Sequence, residues 1–115
     1  MKDIENRLEK ICKDSSSIIK EMKYVFPNVI RIVSSDAVAL EQVLVRLCQT
    51  VQRHHDEIKY RVSYSHHILA GEEVYWLNIS PEDNTSSSAL KATNMLTLHL
   101  SKIIDNYLHI TKRKP

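Results

Sequence analysis

Asp36 to His54 reads Asp-Ala-Val-Ala-Leu-Glu-Gln-Val-Leu-Val-Arg-Leu-Cys-Gln-Thr-Val-Gln-Arg-His, and its periodicity decides how the chain must fold. Leu40, Val43, Leu44, Leu47 and Val51 fall at i, i+3, i+4, i+7 and i+11, one apolar stripe of an amphipathic helix. Ser35 or Asp36 can cap the first turn, where an acidic group also suits the positive end of the helix dipole. No residue from Ala37 to Gln52 is Gly or Pro, so nothing local interrupts the helix. A stripe of this width needs a second layer to cover it.

Working outward, residues 2–25 read as an N-terminal helix. Ile4, Leu8, Ile11, Ser15, Ile18, Met22 and Val25 alternate steps of four and three, a heptad-like seam broken at Ser15. Such a seam serves either the chain's own sheet or a homodimer through the N-terminal helix. Pro27 stops the helix, and the β-branched run Val29 to Val33 is a strand candidate. Beyond His54 the period changes to two. Ile58, Tyr60, Val62 and Tyr64 alternate with Lys59, Arg61, Ser63 and Ser65, which predicts a strand with one buried face. Val74 to Ile79 is a more apolar strand, expected to be buried on both faces. The two are expected to pair antiparallel around a loop near 66–73 that contains Gly71. Ser80 to Ser88 is a polar loop ending in cap residues. A last helix is expected from about Ser88 to Leu108, with Leu96, Leu100, Ile103 and Tyr107 inward. Lys112-Arg113-Lys114 ends the chain as a basic, solvated tail.

The order helix, strand, helix, strand, strand, helix in 115 residues predicts one α+β domain, a two-layer sandwich of about three helices on a small mixed or antiparallel sheet. Charged residues at 26% against 43% apolar place it among globular chains rather than disordered ones. No apolar run reaches the ~20 residues of a membrane span, and Met-Lys-Asp-Ile-Glu reads as a helical start rather than a signal peptide. Cys12 and Cys48 are expected as reduced thiols of a cytoplasmic protein. A formal net charge of +2, without basic residues interleaved densely with aromatics, argues against a nucleic-acid platform.

Chemistry-bearing groups are sparse. The pairs His54-His55 and His66-His67 match no zinc spacing, and neighbouring residues on a strand or helix point in different directions. They are expected as loop and helix-end residues, and His99 as a helix-face residue. Ser86 to Ser88 has no base identified beside it. The single glycine, Gly71, leaves almost no backbone suited to a phosphate cradle.

Residues 29–110 resemble the ATP-binding domain of sensor histidine kinases, the Bergerat (GHKL) fold. Ser35-Asp36 with Leu40-Glu41-Gln42-Val43-Leu44-Val45 resembles that family's "D-x-x-x-L-x-Q-V-L-x-N-L" N-box helix. Ile58 to Tyr64 and Val74 to Ser80 resemble the strand pair that follows. Leu96-Thr-Leu-His-Leu-Ser-Lys-Ile-Ile104 with Leu108-His109-Ile110 is similar to the "G-L-G-L-x-L-S-K-x-I" helix start and the segment after it. The resemblance implies a truncated Bergerat-like sandwich. Where the family's N-box helix presents two asparagines, one holding magnesium, this chain has Arg46 and Thr50. A guanidinium cannot ligate a cation, and one hydroxyl replaces an amide oxygen poorly. The "D-x-G-x-G" loop expected after Ile79 is replaced by Ser80-Pro81-Glu82-Asp83-Asn84, without glycine; Glu82 or Asp83 would have to imitate its acid. Asn94, Met95 and Thr97 replace the glycines before the last helix. These departures imply no cofactor, no metal and no catalysis. They leave a pseudo-ATPase that binds a protein partner in two-component-type signalling, with Arg46, Thr50, Arg53 and Ser80 as the candidate partner-binding rim. An active GHKL-type nucleotide-binding kinase or switch ATPase is one alternative. An unrelated α+β interaction protein or chaperone is the other.

Overall fold

A computed structural model describes residues 2–14, 19–53, 59–83 and 85–113. Three helices, α1 (Lys2–Asp14), α2 (Ala37–Arg53) and α3 (Ala89–Arg113), accompany four strands, β1 (Glu21–Val25), β2 (Val29–Ser34), β3 (Tyr60–Leu69) and β4 (Glu72–Pro81). The strands form one sheet in the order β1-β2-β4-β3, antiparallel at every step. The expected α+β two-layer class is what the chain adopts.

The register explains the layering. Met22 pairs with Ile32, Ile32 with Leu77, Ile30 with Ile79, and Ile79 with Val62, so a row of apolar groups crosses the sheet on one face. Against it pack Ile4, Leu8 and Ile11 from α1, Leu40, Val43 and Leu47 from α2, and Leu96, Leu100, Ile103 and Ile104 from α3, all in a single core cluster. Helix α1 lies on β1, and α3 touches both other helices. Arg7 donates from Nη1 to Thr97 Oγ1 at 2.9 Å, fixing α1 to α3. Tyr60 donates its hydroxyl to the Ala92 carbonyl at 3.3 Å, tying α3 to the first residue of β3.

Local chemistry sets the element ends. Asp36 Oδ1 accepts from the Val38 and Ala39 amides at 3.0 and 3.2 Å, capping α2 as the sequence implied. Ala70 and Gly71 connect β3 to β4 with φ of 53° and 79°. Positive φ at both central residues is the requirement of a type I′ hairpin turn, and it explains where the single glycine stands.

Several expectations are corrected. The helix drawn over residues 2–25 ends at Asp14, and Glu21–Val25 is strand β1. Its apolar residues Met22 and Tyr24 alternate with Glu21 and Lys23, so a two-residue period fits as well as a helical one, and the neighbouring edge of β2 selects the strand. Ser15 and Ile18 lie outside the described residues. The loop near 66–73 shrinks to two residues, because β3 runs on to Leu69 and β4 starts at Glu72. Strand β4 is fully buried on its helix side at Leu77 and Ile79, but Trp76, Asn78 and Ser80 on the other face are only half-buried. Helix α3 continues to Arg113, into the stretch read as a tail. His54, His55 and Ile58 lie outside the described residues.

Candidate functional surface

The residues picked out as a rim do not gather on one surface. Arg46 and Thr50 sit one turn apart on α2, both half-buried, and Thr50 Oγ1 donates to the Arg46 carbonyl at 2.8 Å. That bond turns the hydroxyl back into its own helix. Arg53 is the last residue of α2, and its side-chain surroundings lie outside the described residues. Ser80 follows Ile79 on β4. Because Ile79 faces the helices, alternation places Ser80 on the opposite face of the sheet from α2.

Where the resemblance locates a nucleotide loop, the structure has an open depression of ≈ 740 Å³ between the 81–88 segment, the start of α3 and the start of β3. Lys59, Arg61 and Lys91 contribute cations to it, and Glu82 and Asp83 contribute acids. The loop hydroxyls satisfy one another: Ser86 and Ser88 lie 3.0 Å apart at Oγ, and Ser86 Oγ donates to the Asp83 carbonyl at 3.4 Å. Glu82 and Asp83 are exposed, so neither is a buried acid aimed at a ligand. A second depression of ≈ 600 Å³ runs between α1 and β1, bordered by Glu5, Glu9, Lys13, Lys20 and Lys23, with Cys12 and Met22 within it. Burial raises the Cys12 thiol pKa, opposed by a backbone hydrogen bond at Met22 and reinforced by the Glu21 charge. Among the described residues no three His, Cys, Asp or Glu side chains converge as metal ligands, and no helix is long and apolar enough to cross a membrane.

Among the described residues, the ring contacts fall on the hairpin of β3 and β4. His66 and His67 belong to the strand rather than to a loop, and they separate to the two faces as alternation requires. His66 stacks on Tyr75 at 4.9 Å between ring centroids, and its Nε2 lies 3.7 Å from Glu73 Oε1. His67 lies 3.9 Å from the Trp76 ring on the other face, where Ser65 Oγ is 2.8 Å from its Nε2. Arg31 places its guanidinium 4.2 Å from the same indole and donates from Nε to Asn78 Oδ1 at 2.9 Å. Trp76 is therefore flanked by His67 and Arg31. His99 faces inward on α3.

What the core leaves uncovered is apolar and clustered. On β3, Val62, Tyr64 and Ile68 project to the helix side and are exposed, and Leu69 is exposed beside the turn. Glu41 of α2 is close enough to Tyr64 to help raise its phenol pKa, after burial and Tyr75. Val38 and Val45, three before and four after Glu41, share its exposed flank. The sequence holds a signal for this surface: the even-numbered alternation Tyr60, Val62, Tyr64 continues to Ile68, across a histidine pair that reads as loop chemistry. The α2 flank has no such signal, since Val38 and Val45 depart from the core stripe as isolated apolar residues.

Comparison with known proteins returns no matching protein family, no matching curated protein and no matching solved structure. The fold and this surface define a small α+β two-layer protein with an all-antiparallel four-stranded sheet, one edge of which is uncovered among the described residues.

Proposed function

We propose that the chain is a non-catalytic protein-binding module of the cytoplasm, a pseudo-ATPase related to histidine kinase ATP-binding domains that regulates a signalling partner by direct contact. The observation that carries the binding half is the apolar surface on β3 and the flank of α2, large side chains that the chain's own core leaves exposed. The kinship half draws on the order of elements: the capped helix α2, the antiparallel pair β3–β4, a short polar segment and α3 follow one another as in the resemblance. The loss of nucleotide draws on Thr50, whose hydroxyl bonds within its helix, and on the one glycine standing in the hairpin turn, away from the 81–88 segment.

Calorimetric titration with magnesium and ATP or ADP tests the reading. No saturable heat is expected; a magnesium-dependent affinity in the micromolar range overturns it. Affinity capture from cells tests the partner, and two-component proteins among the captured chains are the expected result. Captured chains of unrelated kind would keep the binding module and remove the kinship.

A further inference from the structure

The two edges of the sheet differ. β1 is five residues long, carries Glu21 and Lys23, and lies under α1. β3 is ten residues long, contains no proline, and from Val62 to Leu69 carries no formal charge with its histidines neutral. The two-residue turn fixes which of its backbone groups are free. Leu69 and Glu72 flank the turn and form the first bonded pair, so the odd-numbered residues of β3 bond to β4. The Lys59 carbonyl, which accepts from the Glu82 amide at 2.7 Å, keeps the same phase. The N–H and C=O groups of Val62, Tyr64, His66 and Ile68 consequently point away from β4 along the edge. A long, uncharged edge with apolar side chains is a template for another strand.

We propose that the occupant is a second copy of this chain, joined β3 to β3 antiparallel about a two-fold axis near Ser65 to give one continuous eight-stranded sheet. An isologous interface requires a surface complementary to itself, and this edge meets that condition in two ways. Antiparallel pairing sets Val62 beside the partner's Ile68 and Tyr64 beside the partner's His66, so apolar and aromatic groups meet on the helix side. On the face away from the helices it also brings Lys59 and Arg61, at the start of one β3, to the hairpin tip of the other, where Glu72 shares their face. Symmetry makes that opposite-charge contact twice. Glu72 also meets Lys20 of its own chain, which holds that carboxylate at the tip.

The area is sufficient. Val38 is 61% exposed, Tyr64 51% and Ile68 66%, and with Val45 and Val62 they leave an apolar patch on the helix side of the seam. Taken over two copies the patch is on the order of 1,000 Å², the lower bound of a specific interface before the paired backbone is added. The inference does not draw on kinship with histidine kinases, so nucleotide binding and edge pairing fail separately.

Sedimentation velocity over a dilution series, with amide hydrogen exchange on the same samples, tests it. The wild-type chain is expected at twice the single-chain mass when concentrated, with the amides of Val62, Tyr64, His66 and Ile68 protected, and with that protection lost on dilution. Tyr64→Pro removes an outward N–H that β4 does not use, and Ile68→Lys buries a charge at the seam. Both are expected to sediment as single chains, with far-ultraviolet circular dichroism and Tm close to wild type for Ile68→Lys. Leu98→Ser, on the exposed side of α3, is expected to leave the dimer intact. A wild-type chain that stays at single-chain mass throughout overturns the proposal. So does a dimer that survives Ile68→Lys, or one that dissolves only with Leu98→Ser. Protection of the four amides that arises only with a foreign extended peptide removes the second copy as occupant.

Discussion

The two hairpins of this sheet are built alike and finished differently. β1–β2 and β3–β4 are both antiparallel pairs of sequential strands, and β2 joins β4 to make the sheet. The first is short, turns through residues 26–28, and has α1 packed on its outer strand. The second is twice as long in its outer strand, turns through Ala70-Gly71, and leaves that strand without a helix of its own. What separates them is where apolar side chains find cover. Ile4, Leu8 and Ile11 complete the first hairpin, so the stripe that reads as a possible dimer seam is buried inside the chain. Nothing among the described residues does this for Val62, Tyr64 and Ile68. The lesson is that one helix decides which edge stays available, although both edges carry the same backbone groups.

Removing the cover should break the contrast most strongly. Leu8 is fully buried between α1 and the core, and Leu8→Ala is expected to cost about 2–5 kcal/mol, measured by urea unfolding. The corresponding change on the second hairpin, Ile68→Lys, should shift the stability of the single chain by no more than about 0.5 kcal/mol. Equal costs at the two sites would mean that the second edge is covered as well.

The β3–β4 turn gives smaller effects, of opposite sign at its two residues. Gly71 has φ +79° with nothing near a built Cβ, so Gly71→Ala should cost about 1–2 kcal/mol through backbone strain alone. Ala70 already carries that kind of strain at φ 53°, and Ala70→Asn should recover a few tenths of a kcal/mol by roughly halving it. Both are measurable as changes in urea midpoint at constant slope. An Ala70→Asn chain less stable than wild type would show that the turn is not of the left-handed kind.

The smallest effect is chemical. Cys12, on α1, is half-buried in the depression between α1 and β1 with its thiol pKa raised by burial, while Cys48 is exposed on α2. At neutral pH a thiol reagent should therefore modify Cys48 first and Cys12 more slowly. The raised folded-state pKa adds stability that is present below the ordinary thiol range and is lost as pH rises through the folded value. Cys12→Ser should flatten that alkaline loss. Equal rates at the two thiols would place α1 away from β1 in solution.

Legibility followed how local each cause was. The helix at Asp36–Arg53 could be read because its cap, its stripe and its lack of breakers all lie within one stretch. The pairing of β3 with β4 could be read because one alternates with period two, the other is a short apolar run, and a glycine lies between them. β1 could not. Residues 18–25 resume the helical spacing of residues 4–11 beyond the break at Ser15, and Glu21–Val25 is a strand only because β2 offers an edge. The run His66-His67-Ile68-Leu69 reads as the approach to a turn, and the ten-residue register with β4 makes it strand. The rim of Arg46, Thr50, Arg53 and Ser80 was drawn from a resemblance of strings. Which face of β4 holds Ser80 follows from the inward side of Ile79, and a string does not carry that.

By itself the sequence determined the class, two layers with helices over a small sheet, because hydrophobic period is a property of neighbours along the chain. It also marked the turn between β3 and β4, because glycine enters the left-handed region without strain. The tertiary structure alone decided the strand order, the loss of half the first helix to β1, and which edge stays open. Those depend on which surfaces cover one another, and burial is settled between segments distant in sequence.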